Sequence, residues 1–78
     1  MANRVAIAAI RDQASAGLRR CSNETAAILS EVSRLATGAA YAPMPPGKLH
    51  MTRFALASLL ESARHLERAV NWSGRGDG

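Results

Sequence analysis

Pro43, Pro45 and Pro46 fall within four consecutive positions, and Gly47 follows them directly. Proline lacks the N–H that a helix needs and clashes with the preceding turn, so no helix runs through this stretch. The same residues stiffen it towards polyproline geometry. On either side the apolar residues recur at helical spacing. The expected fold is therefore all-α, an antiparallel helical hairpin of two long helices. At 78 residues the chain is a single domain at the small end of what folds unaided.

In the first half, Leu18, Cys21, Thr25, Ile28, Val32 and Leu35 are separated by alternating steps of three and four. That alternation marks the seam of a helix packing on another helix, and Ala14, Ile10 and Ile7 continue it backwards. The unbroken phase predicts one helix over 3–36, ended by Gly38 in the usual left-handed position, then a turn over 38–47. Gly17 and the pair Ser22-Asn23 weaken its middle, because glycine disfavours a helix interior and Ser or Asn favours a cap. A break near 21–23, giving three helices, is the alternative.

The second half predicts a helix over 48–72 with its seam at Leu49, Thr52, Leu56, Leu59, Ala63, Leu66 and Val70. Met51, Phe54, Ala57 and Leu60 widen the apolar sector beyond what one facing helix covers, which calls for two neighbours. The outer face carries Glu61, Arg64, His65, Glu67 and Arg68, with Glu61–His65 and Arg64–Glu67 at pairing distance. Residues 73–78, half of them glycine, are expected to form a mobile tail. The Arg75-Gly76-Asp77 tripeptide within that tail is read as a chance match.

Apolar residues make up 47% of the chain, but about a fifth of all residues are alanine and the aromatics are only Tyr41, Phe54 and Trp72. A hairpin of this make-up leaves apolar stripes uncovered, a shortfall that small scaffolds meet with disulfides, a metal or a partner chain. Cys21 is the sole cysteine, which rules out an internal disulfide and suits a reducing compartment. On its helix face it reads as a small core residue beside Leu18 and Ile28. His50 and His65 have no companions at ligand spacing, so neither a metal nor a cofactor is expected. A partner chain remains. The expected state is a homo-oligomer, its interface drawn from Leu18, Ile28, Val32, Leu35, Met51, Phe54, Leu56, Leu59, Leu60, Leu66 and Val70.

Arg4 precedes an apolar run of six residues, Val5 to Ile10, which Arg11-Asp12 ends short of a secretory core. No run approaches the length of a membrane span. A soluble, cytoplasmic protein with no membrane partner is the expectation. No glycine-rich phosphate loop and no nucleophile–base arrangement is recognisable, so a non-enzyme is expected.

The net charge of +4 and pI near 10.7 point to an anionic partner. The candidate ligand-binding residues are Arg19 and Arg20 on the first helix, with Lys48, His50 and Arg53 at the start of the second. There the first-turn N–H groups also favour anions. Two packed chains would bring such residues to a pocket at their boundary, although arginines on a bundle are also an ordinary solvated face. Nucleic acid is an unlikely partner, since neither a recognition helix after a short turn nor interleaved aromatics occurs.

The twelve-residue stretch from Leu59 to Val70 resembles the last helix of the phage anti-CBASS sponge family through Leu59, the small Ser62 and Leu66-x-Arg68-Ala69-Val70. That resemblance implies a small oligomeric helical hairpin that sequesters a cyclic nucleotide immune signal, in host cytoplasm. The plan of helix, Gly38, turn and Leu59-Leu60-Glu61-Ser62-Ala63 also resembles the co-chaperones of type III secretion needle subunits, which pair with a larger helical partner. Two functions are thus expected in turn: an oligomeric inhibitor that captures an anionic ligand, or a helical adaptor that lays its apolar stripe on a partner protein.

Overall fold

The computed structural model describes the backbone of residues 2–76 and the side chains of residues 2–72. Three helices follow one another: α1 (Ala2–Leu18), α2 (Asn23–Tyr41) and α3 (Pro46–Gly76). They form an up-down-up bundle, with α2 antiparallel to both neighbours. Arg53 of α3 reaches Asn3 of α1 at one end, and Glu67 of α3 reaches Ser22 at the other. The fold is all-α, as the apolar spacing predicts.

The long first helix over 3–36 is corrected to two helices, and the break at 19–22 follows from local chemistry. The last turn of α1 tightens, with Arg19 N–H donating to Ala16 C=O and Arg20 N–H to Gly17 C=O. Ser22 then adopts extended geometry (φ −71°, ψ 164°) and its carbonyl accepts from Thr25 and Ala26, the first bonds of α2. The 3,4 seam crosses the break in phase, and so hides it.

Gly38 does not end α2. The helix runs on to Tyr41, and Ala42 N–H donates to Gly38 C=O at 2.8 Å. Ala42 is extended (φ −72°, ψ 145°), as the residue before Pro43 must be. The Arg4 guanidinium donates to the free carbonyls of Ala39 and Ala40, a charged cap from another helix. The turn is thus only 42–45. Pro46 opens α3 at the first helical position, where its missing N–H costs nothing. The expected start at Lys48 therefore moves two residues towards the N-terminus. The end moves too: the segment expected as a mobile tail is helical backbone as far as Gly76, while Asp77 and Gly78 lie outside the described residues.

The core is built from Ile7, Ile10 and Ala14 on α1, from Leu29, Val32 and Ala36 on α2, and from Leu49, Leu56, Leu60 and Ala63 on α3. On α2 the buried face has rotated after the break, so Leu29 and Ala36 turn inward in place of Ile28 and Leu35. On α3, Leu60 takes the interior and Leu59 is 41% exposed. As the wide sector requires, α3 packs against both other helices. At 31 residues it spans about 46 Å, against about 28 Å for α2, so its last turns project beyond the bundle.

Candidate functional site

The α1–α2 corner closes on α3 and leaves a cavity of about 290 Å³ between all three helices. Its floor is Leu29, Leu60 and Ala63, with Thr25 alongside, all buried. Gly17 lets α1 approach α2 so closely that an added Cβ would stand 3.1 Å from Leu29 Cδ1, and Ala63 is fully buried in the floor. Half-buried Cys21 lines the wall and offers its thiol only weakly to Leu18 C=O, at 3.8 Å.

The rim is polar. Arg64 Nη2 donates to Gln13 Oε1 at 2.8 Å across the α1–α3 seam, and Arg64 also pairs with Glu61 at 3.4 Å. Arg20 lines the mouth, its guanidinium with no hydrogen bond or ion pair among the described residues. Glu67 Oε1 accepts from Ser22 N–H at 3.0 Å and from Ser22 Oγ at 2.8 Å, capping α2 from a different helix. The Ser22 N–H chiefly, then the Thr25 and Ser22 hydroxyls, hold the Glu67 carboxyl below its ordinary range. Desolvation opposes them, and Asn71 adds a smaller donation. Glu67 is therefore not the partner of Arg64 that the helical spacing suggests; Glu61 pairs with Arg64 and, at 3.9 Å, with His65.

A second concave feature lies between α2 and α3 on another face. This groove of about 410 Å³ is lined by Leu35, Gly38, Met44, Thr52, Ala55 and Leu59, with Arg34 at its edge in an ion pair with Glu31. On the helical wheel of α3, Leu66 and Val70 continue the line of Ala55 and Leu59 towards the projecting end.

The five expected ligand residues do not converge within one chain. Arg19 and Arg20 sit at the α1–α2 corner; Lys48, His50 and Arg53 sit at the opposite end. Arg53 is engaged with Asn3 at 3.2 Å and lies over the Phe54 ring, and His50 packs edge-on against Phe54 at 4.8 Å. Of the expected interface residues, Val32, Leu56 and Leu60 are spent on this chain's own core, because a third helix covers them. Leu18, Ile28, Leu66 and Val70 are half-buried, and Leu35, Met51, Phe54 and Leu59 are exposed.

Sequence reasoning missed Gln13, Thr25, Arg64, Glu67 and Asn71 as neighbours. One signal existed: Ser22-Asn23-Glu24-Thr25 has the Ser-x-x-polar form of a helix start, and Ser22 Oγ indeed meets Thr25 Oγ1 at 3.1 Å. The described residues hold no group of three metal-binding side chains and no helix long and apolar enough to cross a membrane. Comparison with family models, with curated proteins and with solved structures finds no match to this chain.

Proposed function

We propose that this chain is a non-catalytic assembly module whose α2–α3 groove is covered by a second copy of itself. The supporting observation is surface area. A compact monomer of 8.3 kDa exposes about 4,600 Å². This chain exposes 5136 Å². Exposed Leu35, Met51, Phe54 and Leu59 contribute apolar area to that surface, and a stable interface takes roughly 800 Å² from each partner. The groove supplies the right chemistry, because Leu35, Ala55 and Leu59 recur at helical spacing and Gly38 lets another backbone come close.

Multi-angle light scattering tests this reading. The wild-type chain at about 100 μM is expected at two or more times 8.3 kDa, and Leu35→Glu/Leu59→Glu at one chain mass with its helical circular dichroism intact. A wild-type monomer across that concentration range overturns the proposal.

A second reading, capture of an anion such as a cyclic nucleotide between copies, is supported by one feature. Arg19 and Arg20 lie at the end opposite Lys48 and Arg53, so an antiparallel pair brings the two basic sets together. A melting temperature raised by cyclic dinucleotides in the oligomer, and unmoved in Lys48→Glu/Arg53→Glu, is the expected outcome. An unshifted wild-type melt removes this reading and leaves the assembly proposal standing.

A further inference from the structure

We infer that the three-helix cavity beside Cys21 is a binding site for a small amphipathic carboxylate, independent of any pairing through the α2–α3 groove. Its volume of about 290 Å³ lies at the lower end of ligand pockets, room for a ligand of about ten non-hydrogen atoms. The floor is largely apolar: Leu29 and Leu60 are 5% exposed, and Ala63 is fully buried. An apolar ring or short chain fits that floor.

The mouth selects charge. Arg20 and Arg64 both stand at the rim, each exposed and able to turn towards an oxyanion. Arg20 has no partner to release among the described residues, and Arg64 holds only Gln13 and Glu61 through contacts at the surface. A guanidinium meets a carboxylate through two parallel N–H donations, which favours this anion over a neutral amide. The one acid on the rim, Glu67, does not repel it strongly. Its Oε1 faces the α2 N-terminus and accepts from Ser22 N–H and Oγ, so this ionised carboxylate is directed at α2, and the two arginines outnumber it at the rim. The ligand would thus lie with its apolar part on Leu29 and Leu60 and its carboxylate between the two arginines.

Cys21 makes the test direct, because it is the sole thiol and lines the cavity wall. Phenylpropionate and its isosteric neutral counterpart, phenylpropionamide, serve as probes against alkylation of the native chain by iodoacetamide. Saturating phenylpropionate is expected to slow alkylation by about five-fold or more, and the amide to leave it nearly unchanged. The exposed rim variant Arg20→Gln/Arg64→Gln, with an unchanged melting curve, is expected to need about ten-fold more phenylpropionate for the same protection. Running both in Leu35→Glu/Leu59→Glu separates this site from the groove, since protection there should equal that of wild type. An alkylation rate unaffected by phenylpropionate, equal protection by the amide, or undiminished protection in the rim variant would each overturn the assignment.

Discussion

The α1–α2 corner depends on the charge of one residue, Glu67, which serves an N-terminus that Ser22 does not cap with its own side chain. Its folded pKa lies below the ordinary 4.5. The stabilisation is therefore present in full above about 4.5 and is lost as pH falls through the folded value. Urea midpoints measured between about pH 3 and 6 should drop on acidification in the wild type, with the Glu67-dependent part absent in Glu67→Gln. Equal pH profiles would refute the charged cap. Two of the helical glycines, Gly38 and Gly17, should respond differently to alanine. Gly38 has nothing within 4 Å of an added Cβ and no positive φ, so Gly38→Ala should stabilise the folded monomer by about 1 kcal/mol. Gly17→Ala gains the same propensity but must displace Leu29, and should show little or no gain in the same melt.

Helix faces carry the next prediction. Leu60→Ala should cost about 2–5 kcal/mol and Leu59→Ala less than about 1 kcal/mol, read from chemical denaturation of the chain diluted to the monomer, because only the former opens a cavity in the core. That pair tests the rotation of α3 directly, and a reversed order would mean that the buried face is misassigned. Periodicity and the prolines showed that the chain is helical on both sides of a turn, since both follow from local spacing and backbone sterics, but not the bounds of those elements. It could not choose between the adjacent Leu59 and Leu60, nor between Ile28 and Leu29. Those choices depend on which neighbour lies opposite, and the neighbour exists only after the break at 19–22. The break itself was legible in Ser22-Asn23, but the seam that keeps phase across it pointed the other way. Helix ends were least legible, because they are set by tertiary donors: Arg4 on the last carbonyls of α2, and Glu67 on its first N–H.

At the scale of the molecule, three helices rather than two change what one chain can do. The third wall hides Val32, Leu56 and Leu60, which a hairpin would have offered to a partner, and it completes a half-open cavity lined by all three helices. The candidate cavity was the least legible feature of all, since Gln13, Cys21, Arg64 and Asn71 are distant in sequence and share no motif. Basic charge was visible from composition; its division between the two ends was not. The projecting end of α3 has a further, physical result. The chain measures 50 × 19 × 16 Å, an axial ratio of about 3, with all three helices aligned to the long direction. Helical N–H bonds lie along that direction, so backbone nitrogen relaxation should report uniformly slow reorientation, as if from a heavier sphere. A side-by-side pair would be rounder and would tumble more isotropically. The anisotropy of rotation should therefore fall as the particle doubles in mass.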